Sequence, residues 1–277
     1  MANSYADLMT LKSGGVLNIS GISLDARLLA LLEDVSRWID NYCNRHFYVL
    51  EATRRFDGVG GRELAVPDLI SVTTLKTDED QDRMFELTWG SGDYLLYPLN
   101  AEPQQPWGRP YSRVLVDTEA GSKAVFPSGK SVVEIAGKWG FREVAENSGA
   151  DISEGGAFGS ADIALTVTDG SKFTVGQTVL IESEQLYLTG ISTNDLTVER
   201  GANGTAAASH SDGTDIFIYR YPGSVVEACL IQASLLWRQR GGDSISAVGG
   251  RGVDGELDPE VGRLLSPYRR LPVGLGA

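Results

Sequence analysis

Few residues of this chain combine type and spacing as chemistry requires. Gly129-Lys130-Ser131 ends like a phosphate-binding loop, in which a glycine-rich turn and the next helix point N–H groups at phosphate. That pattern needs glycine at 124, which is Ala124, and a helix afterwards, where Val132, Val133, Glu134 and Ile135 read as strand. Asp78, Asp80 and Asp82 open like a calcium loop. Its sixth position holds Arg83 instead of Gly and its twelfth Trp89 instead of Glu, so a solvated hairpin turn is expected. The two histidines, His46 and His210, have no spacing to Cys43 and Cys229 that makes a zinc site. Neither has a G-x-S-x-G companion for a nucleophilic triad. Cys43 and Cys229 are expected as small core residues on apolar helix faces, and as neighbours if those helices pack together. Asn18 and Asn203 match the glycosylation pattern, with no secretory signal to support it. No catalytic residue, cofactor or metal is assigned.

Composition narrows the classes further. The 277 residues include 37 acids and 24 Lys or Arg, a formal charge of -13. Phosphate binding needs clustered cations, so a nucleic-acid coat is excluded. No stretch approaches the ~20 apolar residues of a membrane helix. Two cysteines exclude a disulfide scaffold. The 42% hydrophobic share supports a core, and 33 glycines favour strands and turns over a helical bundle alone.

The elements follow from periodicity. Leu28, Leu31, Val35, Trp38, Ile39 and Tyr42 fall on one helical face over 24–45, with Ser23 as expected N-cap. Residues 1–20 read as an arm or a short lead-in helix. From 49 to 141, short apolar runs alternate with turn residues, as in an antiparallel β region. Residues 145–161 are small and polar and read as a linker. Period-two pairs then recur over 162–219: Leu165 and Val167, Val179 and Ile181, Leu186 and Leu188, Leu196 and Val198, Ile216 and Ile218. They predict a small barrel or sandwich. Residues 150–222 carry ten acids and three bases, -7 of the total charge, which marks a separate module. Ser224 to Glu227 reads as a capping box for a helix 224–240, with Val226, Cys229, Leu230, Ala233 and Trp237 on its apolar face. A glycine-rich stretch, 241–255, is expected to be mobile. Asp258-Pro259 opens a last short helix.

The expected fold is α+β. Two principal amphipathic helices and an antiparallel β region form a discontinuous core, and a small all-β domain is inserted. The parts are 1–149 (arm, helix 24–45, β region 49–141), the insert 150–222, and 223–277 (helix 224–240 and a C-terminal tail).

Several phrases are more specific than any of these patterns. They are WIDNYCNRHFY (38–48), TRRFDGVGGRELAVPDLISVTTLKTDED (53–80), DYLLYPLN (93–100), Phe126-Pro127 followed by a Gly-Lys pair, Gly137-Lys138-Trp139-Gly140 and LDPEVGRLLSPYRRL (257–271). In this order they resemble the head–tail connector (adaptor) proteins of tailed bacteriophages. VERGANGTAAASHSDGTDI (198–216) is similar to a segment of small β modules in phage virion proteins. The resemblance implies a structural, non-enzymatic virion protein, made in the host cytoplasm, that forms a ring of about twelve copies beneath the portal. Its implied partners are itself, the portal protein, the next neck or tail protein and the capsid. Genomic DNA would pass through the channel without specific binding, and no membrane is involved. Leu257, Leu264, Leu265, Tyr268, Arg269 and Arg270 are the implied portal-docking residues. A tail-completion or stopper ring, and more distantly a soluble glycan-binding module, are the alternatives.

Overall fold

A computed structural model describes residues 3–239 and 258–270 of the chain, which leaves 241–255 and Leu257 outside the described residues. The chain is mixed helix and sheet, with two six-stranded antiparallel sheets among the described residues. It divides into two compact units, Met1–His46 with Ala145–Ala277, and Phe47–Val144. The two principal helices therefore share a unit with the second β region.

In the discontinuous unit, α1 (Leu8–Lys12) leads to α2 (Asp25–Cys43), and α3 (Gly223–Trp237) to α4 (Pro259–Leu265). α2 buries Leu28, Leu32, Val35, Ile39 and Cys43, the stripe its spacing dictates, and packs against α3. Leu24, not Ser23, is its N-cap. α3 starts one residue before the expected capping box, with Pro222 as N-cap and no side-chain cap bond. Pro222 fixes its own φ and has no N–H to leave unsatisfied, so the helix can begin there. Val225 is fully buried and Val226 only partly, while Cys229, Leu230, Ala233 and Trp237 are buried.

The sheet of this unit runs β7 (Ala145–Asp151), β12 (Asp215–Tyr219), β9 (Thr178–Ile181), β10 (Glu184–Ser192), β11 (Asp195–Glu199), β8 (Ala164–Thr166). The end strands close on each other through the Ile152–Val167 bridge and the bond from Thr168 N–H to Asp151 C=O, 3.0 Å. The result is a small barrel, closed where 151–153 meet 166–168. The predicted alternation fills it: Leu165, Val167, Val179, Ile181, Leu186, Leu188, Leu196, Val198, Ile216 and Ile218 form its core. β7 overturns the expected linker. Its side chains are polar because it contributes only Ala150 to the core while its backbone pairs with β12. Gly170 lies where an added Cβ would meet the Thr193 carbonyl oxygen at 1.9 Å, so this loop needs glycine.

Phe47–Val144 holds the other sheet. Its strands are β1 (Leu50–Val59), β2 (Glu63–Thr77), β3 (Leu87–Trp89), β4 (Tyr94–Tyr97), β5 (Tyr111–Val116) and β6 (Ser128–Trp139), in the order β1-β6-β2-β5-β4 with β3 also on β2. β2 switches partners near Pro67. Its first half pairs with β5 and its second with β6, and the register with β5 skips from Ala65 to Leu69. Pro67 has no N–H to give the ladder. Trp139, fully buried, donates to the Ala52 carbonyl at 2.8 Å and lies beneath the Arg54 guanidinium.

Candidate functional site

The C-terminal run is short and well anchored. Asp258 caps α4 by accepting from Glu260 N–H at 2.8 Å, with Pro259 in the first turn, as expected. α4 packs on α3, and Val261 and Leu265 are fully buried. The chain then turns through Ser266–Tyr268 and meets the end of α2. Arg269 places its guanidinium 4.8 Å from the centre of the Tyr42 ring, and Arg270 N–H donates to the Cys43 carbonyl at 2.8 Å. Of the six residues implied for portal docking, Leu265 thus lies inside its own chain, while Leu264, Tyr268 and Arg270 are half-buried and Arg269 is exposed.

The helix-face residues lie together in the same unit. Leu28, Val35, Ile39, Cys229, Leu230, Ala233 and Trp237 are buried, and Leu31, Trp38, Tyr42 and Val226 are half-buried. Trp38 stacks on Tyr42 at 5.4 Å, and Arg27 lies over Trp237 at 5.0 Å. The two cysteines are free and buried but are not neighbours. Cys229 Sγ sits 3.6 Å from Ser36 Oγ, and Cys43 is seven residues further along α2, about 10 Å of rise. Burial pushes both thiols up to about 11, which suits inert core residues.

The other sequence candidates resolve into structure. Lys130 of the phosphate-loop lookalike lies in β6 and pairs with Asp57 at 2.7 Å. Asp78, Asp80, Asp82 and Glu86 place one oxygen each within 4.8 Å of the others, a geometry that could hold a cation. Asp78 spends both oxygens on the Gln81 and Arg83 N–H groups, each at 2.7 Å, which is how it shapes the turn. Asn203 is fully buried and donates to Gln185 Oε1 at 2.8 Å, so its glycosylation pattern is inaccessible. Trp107 is 75% exposed on a loop held by the bonds from Arg109 N–H to Ala101 C=O and from Glu143 N–H to Pro103 C=O.

One constellation was missed. Glu184 is fully buried in the barrel wall and takes a bidentate bond from Arg200, at 2.7 and 2.8 Å. It also accepts from Gly201 and Ala208 N–H and bonds His210, whose other ring nitrogen meets Glu182 at 2.7 Å. Arg200 stacks over Phe158 and donates to the Gly159, Asp162 and Ala208 carbonyls. Burial works against the charge of Glu184, but Arg200, the two N–H groups and His210 outweigh it and hold the carboxyl at about 2. The available signal was Glu184 itself. A carboxylate inside an apolar strand pattern demands a buried partner, and Arg200 is one of three bases in 150–222. The clasp pins the 199–210 loop, the segment that resembles virion β modules.

No family model matches the chain, and no curated protein matches it. Among solved structures, it is similar to one described as the neck of an empty GTA particle computed with C6 symmetry. Identity is 13% and the TM-score 0.42, over 98% of this chain and 93% of that one. A likeness of that size assigns no role.

Proposed function

We propose that the chain is a structural head–tail connector that assembles as a ring beneath a phage portal, continues the DNA channel and gives neck or tail proteins their platform. The observation that carries this reading is the ordered series of phrases from Trp38 to Asn100 and from Phe126 to Gly140, completed by 257–271. The geometry of the last phrase supports it: Leu264 on the short α4, with Tyr268 and Arg269 just after it, presents a mixed apolar, aromatic and cationic surface. Aromatic and Arg side chains are the usual energetic centres of interfaces.

The net charge of -13 suits a channel protein, since an acidic wall repels DNA and lets it slide.

Co-sedimentation with the portal ring of the same phage, followed by imaging, tests the reading. A collar of about twelve subunits is expected, lost on deletion of 257–277. Binding to the tail end but not to the portal would select a tail-completion or stopper ring instead.

A further inference from the structure

His210 is buried in the barrel, and each of its ring nitrogens meets a carboxylate. Nε2 lies 2.8 Å from Glu184 and Nδ1 2.7 Å from Glu182. A neutral imidazole has one N–H, so it donates to one of them and turns a lone pair to the other. The two carboxylates are not equivalent. Glu184 is fully buried, and the bonds from Arg200 and from the Gly201 and Ala208 N–H groups fix it in place as an anion. The proton of a neutral ring therefore sits on Nε2. Glu182 has a side chain 60% exposed, free to turn to water. Its bond to His210 depends on a second ring proton, on Nδ1.

The surrounding chain is built for that bond. Glu182 lies in the turn between β9 and β10 with φ +54°, in the left-handed region that glycine fills with less strain. A glutamate there supplies a carboxylate that glycine cannot. At the other end, the His210 backbone exchanges both its bonds with Phe158, whose ring stacks on the imidazole at 6.4 Å. The remaining acids of the adjoining loops are committed elsewhere. Asp162 accepts from Gly159 N–H, Asp212 from the Glu154 and Gly155 N–H groups, and Glu154 from Thr166 N–H. Among the described residues, the charges facing the ring are thus Glu182, Glu184 and the Arg200 bound to Glu184. Two carboxylates and one guanidinium leave a negative excess that a protonated ring cancels. The loop so pinned carries Asn203, which donates to Asn3 Oδ1 at 3.1 Å and holds the N-terminal arm.

We propose that the Nδ1 proton of His210 is a latch on the 199–210 loop. With it, the imidazolium ties Glu182 to Glu184 and stiffens the loop. Without it, Glu182 swings to solvent and the loop loosens, along with its grip on Asn3. Loop protection therefore rises as pH falls through the range where imidazoles titrate, and is lost as pH rises through it. That range lies above the ordinary value of 4.5 from which Glu184 is depressed, so the weakening of Glu184 by stronger acid is a separate effect of opposite sign.

Amide hydrogen exchange of the full chain, expressed relative to an unstructured chain at the same pH, tests the latch. Gly201 and Ala208 should gain about three- to tenfold in protection between about pH 8 and about pH 5.5. Glu182→Gln changes an exposed side chain and should fold normally. Its amide can donate to a bare Nδ1 or accept from a protonated one, so the bond should persist and the gain should vanish. His46 is common to both proteins and cancels in the comparison. Nitrogen NMR of the His210 ring gives a second readout: both nitrogens protonated at the acid end, with Nδ1 the one that loses its proton. No gain in the unsubstituted chain, an equal gain in Glu182→Gln, or loss of the proton from Nε2 first overturns the proposal.

Discussion

The two sheets solve the same problem in opposite ways. The barrel closes on itself through Ile152 and Val167 and spends its polar side chains internally, with Glu184, Arg200 and His210 satisfying one another. The sheet of Phe47–Val144 stays open, with the ten-residue β1 at one edge and the short β4 at the other. Its core holds a large aromatic residue, Trp139, and its buried carboxylates are Asp68, in β2, and Asp78, at the turn that follows. Closure pairs the backbone of the end strands where they meet, whereas an open sheet keeps edges that another chain can meet.

Substitutions that should affect one sheet and spare the other sharpen this contrast. The largest effect is expected from Arg200→Met, which takes the bidentate cation from buried Glu184 and leaves it two N–H groups and His210, at a cost of about 3–5 kcal/mol. Hydrogen exchange should show lost protection in the barrel strands and little change in β1 to β6; a uniform loss would show that the two units unfold as one. Trp139→Ala should cost about 3–5 kcal/mol in the other direction, at the low end of that range if the sheet collapses around the space. Its protection loss should be confined to 47–144.

A smaller effect separates the two by pH. The carboxyl of Glu184 is depressed to about 2, so the stability it contributes is present above its ordinary value near 4.5. That contribution is lost as pH falls through about 2. Urea titrations between those limits should show the barrel weakening with acid. Glu184→Gln should be less stable at neutral pH and flatter across the window; an equal slope in both proteins would remove Glu184 as the source. The smallest change is expected from Val59→Lys. Val59 is 81% exposed at the β1–β2 turn, and thermal melting should move by no more than about 0.5 kcal/mol equivalent.

What the sequence discloses follows the same divide between apolar periodicity and polar detail. α2 was legible because Leu28, Val35 and Ile39 repeat at helical spacing, and the barrel strands because Leu165 to Ile218 alternate cleanly. β7 was illegible because backbone pairing needs no apolar side chain, and Ala145 to Asp151 supplies almost none. The capping box at Ser224 misled because Pro222 can start a helix without it. The clasp escaped notice because Glu184 and Arg200 are 16 residues apart and nothing local joins them. Likewise a cavity beside α1 draws its lining from residues 8–25 and 169–194, which no local pattern connects.

The bond from Arg270 to the Cys43 carbonyl has a consequence in time. The end of α2 receives its partner only after 227 further residues have been made, and the pairing of Asn3 with Asn203 likewise waits for a late segment. At ~5–20 residues per second, that is about ten to forty-five seconds of synthesis. Phe47–Val144 is contiguous and can fold while the ribosome is still at work on the barrel. The first helices to emerge are thus among the last to be sealed. A chain truncated before residue 258 would keep its open sheet and its barrel strands, but not the α4 run that finishes the helix pair.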